Sequence, residues 1–253
     1  MSISNNTEKL RIALEKANTL PEDEDKIMRS IIDGTITKIS SSKITCVGSN
    51  AFTSCYQLSY VNLPNCTSIN GYAFQGCSPL TSVDFPACTN IGSYAFHSCT
   101  LTSASFPACT NIDSFAFYLC RSLTSVSFPV CTSIGDYAFY ICSSLTSANF
   151  PACETIGAMV FERCSSLTTA SFPVCTSISG GAFRSCWRLI SLYLDKTTSV
   201  CQLIYSTVFN STPIYGYSTY AGCYGSIYVP QSLLASYQTA TNWVYFSSRF
   251  VGV

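Results

Sequence analysis

The chain has 253 residues, of which 47% are hydrophobic and only 10% charged, against roughly 25% charged in an average soluble domain. That much apolar surface offsets the entropy of ordering, which excludes disorder over most of the length. Thirteen basic residues balance thirteen acidic ones, so no general attraction to nucleic acid or anionic membrane is expected, and no apolar run is long enough to span a bilayer as a helix.

The charges crowd at the start. Residues 1–35 hold seven acids and five bases, whereas the stretch from Leu58 to Arg188 holds nine charged side chains in all. This shift places a boundary near Gly34. Asn5 or Asn6 caps a predicted helix over 7–19, with Leu10, Ala13, Leu14 and Ala17 on one face and Pro21 after it. A second helix is predicted from Asp23 to Ile32, its acidic first turn suiting the helix dipole. The segment 1–35 is therefore read as a helical cap on the repeats or as a docking piece for a larger assembly. The opening residues lack the basic and apolar regions of a secretory signal, which leaves localisation open, display on a cell or virion surface included.

From residue 36 to 194 the chain repeats itself. Segments beginning at Leu58, Leu80, Leu101, Leu123, Leu145 and Leu167 align with a period of 22 residues (21 for the second), a looser copy begins at Ile36, and another starts at Leu189 and degenerates. In the unit from Leu123, Leu123, Val126 and Phe128 occupy an extended run that Pro129 closes by removing a ladder donor. Ile134 begins a second extended piece. Ala138, Phe139 and Cys142 then fall at i, i+1 and i+4, the spacing of one inward-facing helical turn. One unit cannot bury this apolar set, but stacked units can, and the expected fold is a β-rich α/β repeat solenoid of about seven to eight coils.

The recurring L-x-x-V-x-F-P-x-C-x-x-I-x-x-x-A-F-x-x-C resembles the BspA-type leucine-rich repeat. The resemblance implies a superhelix with a parallel sheet on one face and short helical turns on another, and an interaction role in surface-associated proteins of bacteria or, in Ser/Thr-rich versions, of gut bacteria and their phages. One position departs from the family pattern: Cys66, Cys88, Cys109, Cys131, Cys153 and Cys175 stand where the family more usually has an aliphatic residue.

Residues 195–253 form an aromatic C-terminal capping segment. A strand is predicted at Ser226–Val229 and a helix from Ser232 to about Ala240, burying Leu233, Leu234 and Tyr237. Trp243, Tyr245, Phe246 and Phe250 are expected to fold back over the last coil. Cys201 and Cys223 fall outside the repeat and receive no role.

From Cys55 to Cys186 cysteines recur every 11 residues, with one step of 10, and so form two rows on opposite sides of the solenoid. Reduced packing residues, disulfides between coils and zinc ligands compete as readings. Parallel in-register side chains suit a disulfide dihedral poorly, and no closely spaced pair converges on one point, so packing is favoured and no metal is assigned.

No reaction centre emerges. His97 is the only histidine, in an outward row while Cys99 lies in an inward one, so a Cys–His pair is not expected to meet. Asp84, Asp113, Asp136, Glu154 and Glu162 are spread over different coils. The chain is read as non-enzymatic, with no cofactor. Variation concentrates in the two residues after the repeat phenylalanine, which places Tyr118, Leu119, Tyr140 and Ile141 side by side on the surface. These four are the candidate contact for a protein or glycan on a cell surface or matrix; lateral packing against a neighbouring loop or another copy is the alternative. Rows of Thr and Ser on the sheet face are a second candidate, with simple hydration as the alternative. A structural spacer or virion component docked through residues 1–35 is the other reading of the whole chain.

Overall fold

The computed structural model describes residues 35–216 and 224–253; the helices predicted within 1–34, and Cys223, lie outside them. Each coil contributes a three-residue strand and a two-residue strand, such as Ser125–Ser127 and Ser133–Ile134. Eight coils supply both, from Lys38–Ser40 with Cys46–Val47 to Ser191–Tyr193 with Gln202–Leu203, and Ser226–Val229 opens a ninth. All pairings are parallel and in register one coil apart, as in Ser103↔Ser125 and Asn111↔Ser133. The short strands form one eight-stranded sheet, while the long ones fall into sheets of three, two and five. Single amide-to-carbonyl bonds, Thr102 to Thr81 and Thr146 to Thr124 (3.3 Å each), bridge the two breaks.

The core follows the repeat. Leu123, Phe128, Cys131, Ile134, Ala138, Phe139 and Cys142 are all buried, as are their counterparts in neighbouring coils. Two rows of phenylalanine run the length of the interior. One contains Phe74, Phe96, Phe117 and Phe139, stacked at 5.1–5.3 Å; the other contains Phe85, Phe106, Phe128 and Phe150, stacked at 5.4–5.9 Å. The rows meet at steep angles, near edge-to-face, as at Phe117–Phe128 (68°). Burying one such ring stabilises the fold by about 1.5–3 kcal/mol relative to leaving it in water, and each ring needs the coils on both sides to be covered.

The expected helical turn is not a helix. In the segment 113–120, alternate amides bond inside the coil, Tyr118 to Phe115 (3.1 Å) and Cys120 to Phe117 (3.1 Å), in tight turns. The amides between them cross to the next coil: Phe115 to Asp136, Phe117 to Ala138 and Leu119 to Tyr140 (2.8–2.9 Å). An α-helix directs every amide back along its own chain. Here the strand-like spacing of the coils offers a carbonyl next door to every second residue, and the turns adapt to use it. The i, i+1, i+4 pattern identifies the buried side chains while the backbone takes another route.

The cysteines are free thiols among the described residues, and each row has a polar partner that explains the residue type. In one row the thiols of Cys66, Cys88, Cys109, Cys131, Cys153 and Cys175 donate to the carbonyl two residues on, at 3.2–3.3 Å. In the other, Cys77, Cys99, Cys120, Cys142, Cys164 and Cys186 donate to the repeat-phenylalanine carbonyl of the preceding coil, at 2.9–3.3 Å. An aliphatic residue would fill the same space and leave these buried carbonyls with one acceptor site unused. Cys201 joins the first row after a longer loop, its Sγ 3.8 Å from that of Cys175.

The C-terminal segment closes the open end. The strand is Ser226–Val229 as expected, but the helix is divided into a 3₁₀ turn, Gln231–Leu233, and an α-helix, Leu234–Thr239. The Tyr237 hydroxyl accepts the Cys201 amide (2.9 Å), and Trp243 Nε1 donates to the Cys201 carbonyl (2.6 Å). Trp243 and Phe246 are buried and Phe250 packs partly on the core. Tyr245, expected among them, is 72% exposed. It stands in a 3₁₀ helix, Val244–Arg249, whose buried residue is Phe246.

Candidate binding surface

The outer edge of the turns carries the candidate residues. Tyr118 and Tyr140 stack with centroids 5.0 Å apart and planes within 5°. Leu119 and Ile141 stand beside them, all four half-buried, and each tyrosine touches an aromatic residue of its own coil, Phe115–Tyr118 at 5.6 Å and Tyr137–Tyr140 at 5.7 Å.

Those last contacts reveal a larger feature. The residue before the repeat alanine forms a second outer row, Tyr72, Tyr94, Phe115 and Tyr137, stacked at 4.9, 4.5 and 4.8 Å with planes within 5°. His97 extends the first row, 5.2 Å from Tyr118. Seven rings thus cover four adjacent coils. Variation after the phenylalanine does not point to the second row; the signal for it is an aromatic at the position before Ala in four successive units.

The backbone beneath is costly. Tyr72, Tyr94, Phe115 and Tyr137 all have φ between 58° and 63°, as do Leu119 (63°) and Ile141 (56°). Left-handed conformations cost an L-residue roughly 1–2 kcal/mol, and a β-branched side chain suffers most. Glycine meets the requirement without strain and occupies the equivalent positions at Gly76 and Gly181. The chain places large rings where the backbone favours glycine, and leaves their edges in solvent.

Titration on this edge follows burial. His97 is held below its ordinary value by desolvation, and its Nδ1 lies 2.9 Å from Gln75 Nε2. The amide donates, so the neutral ring carries its proton on Nε2. The Cys99 thiol points inward to the Phe74 carbonyl, away from this imidazole. Burial raises Tyr94, with a smaller contribution from the neighbouring Tyr72 and Tyr118. Farther along the first row Glu162, 1% exposed, receives Arg184 Nε (2.9 Å) and Nη2 (2.5 Å) on Oε1. The sheet-face threonines are committed locally: Thr124, Thr146 and Thr168 each donate their hydroxyl to the carbonyl of the preceding threonine in the row, at 2.9–3.3 Å. Among the described residues no three His, Cys, Asp or Glu side chains are grouped to hold a metal ion, and no helix is long and apolar enough to cross a membrane.

The model of the BspA-type leucine-rich repeat region matches in six copies over residues 19–110 and 89–215. The chain belongs to the BspA-type leucine-rich repeat family. Among curated proteins none matches it. Solved structures similar to this BspA-type chain include a leucine-rich repeat protein of T. pallidum, 24% identical over 78% of this chain and 79% of that one, with a TM-score of 0.49. A leucine-rich repeat protein of Bacteroides ovatus is 17% identical, covering 87% and 84% (TM-score 0.36). A leucine-rich cell surface protein of Faecalibacterium prausnitzii is also 17% identical, covering 87% and 78% (TM-score 0.35). Likeness at this level says nothing of function, and the family assignment rests on the repeat itself.

Proposed function

We propose that this chain is a non-enzymatic recognition protein that binds a protein or glycan of a cell surface or matrix through the aromatic edge of its outer turns. The observation that carries the reading is the set of seven rings held in or beside left-handed positions that glycine would occupy without strain. Left-handed φ recurs at these two turn positions under Asn50, Ser54, Ser98, Met159, Arg163 and Ser185 as well, so the turn sets the backbone and the informative feature is the run of large partly exposed aromatic side chains placed on it. Stacking fixes the ring orientations before any partner arrives, and preorganised tyrosines contribute contact area at low entropic cost. The chain's kinship with repeat proteins that are often surface adhesins is consistent with this use.

The test is saturable binding of labelled protein to a panel of bacterial cells, epithelial cells and extracellular-matrix proteins, beside the Tyr118→Ser/Tyr140→Ser variant. Saturable binding that weakens at least tenfold in the variant supports the reading. Binding that the variant leaves unchanged, self-association included, refutes it, and no saturable binding anywhere in the panel favours a structural spacer.

A further inference from the structure

The outer aromatic row ends abruptly. After Tyr72, Tyr94, Phe115 and Tyr137 the next coil places Met159 in the row and the one after that places Gly181, at φ 68°. Where a sixth side chain would stand there is a recess of about 440 Å³, lined by Asp136, Met159, Gly180, Gly181, Arg184 and Tyr205 among others. This is within the size range of small-ligand sites. Tyr205 is 61% exposed, has no stacked ring among the described residues, and leans on the backbone of Gly180, where a Cβ would lie 2.7 Å from its Cδ2. The side of its ring turned away from Gly180 is therefore available, whereas the ring faces of the row are spent on one another.

Beneath the recess lies an incomplete polar group. Glu162 Oε1 is bound by Arg184, but Oε2 is buried without a hydrogen-bond partner. It sits 3.9 Å from the point a Cβ on residue 181 would occupy, behind the residues that line the recess, and Met159 Cγ lies 3.1 Å from the same point. An unpaired buried carboxylate oxygen is unfavourable and calls for a donor.

We infer that this recess binds a pyranose unit of a saccharide, resting on the recognition role proposed above. Charge and shape select the class. Asp136 and Glu162 balance Arg163, 4.0 Å from Glu162, and Arg184, so neither an ammonium nor a carboxylate is favoured. A purely apolar group would leave Glu162 Oε2 unpaired. A pyranose brings hydroxyl donors for Oε2 and Asp136 and an apolar face for Tyr205 and Met159. Reaching Oε2 requires the flexible Met159 side chain to swing aside.

The experiment is saturation-transfer NMR on the full chain with the methyl glycosides of glucose, galactose, mannose and N-acetylglucosamine. At least one glycoside is expected to receive saturation from the wild-type chain. Transfer should fall at least tenfold in Tyr205→Ala, whose exposed position leaves the core intact as checked by circular dichroism, and stay unchanged in Ser147→Ala on the sheet face. Transfer that survives Tyr205→Ala overturns the assignment. If no glycoside receives saturation from protein that still binds a cell type saturably, the pyranose inference fails and the surface reading stands. Glycoside binding without saturable cell binding supports the recess and overturns the adhesion reading.

Discussion

Two rows of aromatic rings run along this solenoid with nearly the same geometry and opposite surroundings. Phe74 and Phe96 stack at 5.3 Å and 6° inside; Tyr72 and Tyr94, two residues earlier in the same coils, stack at 4.9 Å and 5° outside. The inner row is fully buried and continues from Phe52 to Phe209 without interruption. The outer row holds rings in four coils and then gives way to Met159 and Gly181. Coil spacing alone produces the stacking in both. What separates them is necessity: every coil needs the inner ring to exclude water, and none needs the outer one to fold. A position that the fold leaves free, yet that carries a large, partly exposed aromatic, is where function is to be sought.

Alkali should attack the interior most broadly. Burial pushes the Cys66 and Cys120 thiols up to about 12 and those of Cys88 and Cys131 to about 11. Unfolded thiols ionise near 8.5, so above that pH the unfolded chain releases protons that the folded chain retains. Stability from these groups is fully present below about 8.5 and is lost as pH rises toward 11–12, by about 1.4 kcal/mol per pH unit for each thiol. Denaturant midpoints at pH 7.5, 9 and 10 under reductant should fall steadily; a flat profile would show the thiols to be less buried than described.

Single substitutions should follow the same division. Phe117→Ala removes a ring packed from both sides and is expected to cost about 3–5 kcal/mol in chemical denaturation. Cys142→Val keeps the volume but deprives the Phe117 carbonyl of its thiol donor, at about 1 kcal/mol. A neutral result there would mean that the thiol rows are only space-filling. Tyr118→Ser with Tyr140→Ser should cost a similarly small amount, about 0.5–1.5 kcal/mol from the lost ring pair, because both rings are only half-buried. A loss as large as that of Phe117→Ala would place the outer row with the core and remove the argument for function.

The inner row is legible in the sequence because burial imposes a period: Leu, Phe, Ile, Ala-Phe and Cys recur at fixed spacing, and the coil count comes with them. The turn conformation is not legible, since a helix and a pair of tight turns bury the same i, i+1, i+4 set and differ only in whether alternate amides reach the next coil. Cys201 escapes the pattern because a loop displaces it from the 22-residue period while the ladder still receives it. At the surface, Tyr118 and Tyr140 stand out by their variability among repeats. Tyr72, Tyr94, Phe115 and Tyr137 do not, because their recurrence resembles framework, and only burial and φ distinguish a ring that must be there from one that need not.

The most direct test compares two stacked tyrosine pairs on different faces. Tyr193 and Tyr228 stack at 4.4 Å on the sheet face, chemically equivalent to Tyr118 and Tyr140 but outside the outer edge. Affinity for whichever cell or matrix target binds saturably should be measured for both double serine variants side by side. At least a tenfold loss is expected for Tyr118→Ser/Tyr140→Ser and none for Tyr193→Ser/Tyr228→Ser. Equal losses in the two, or a loss confined to the sheet-face pair, would contradict binding through the outer edge.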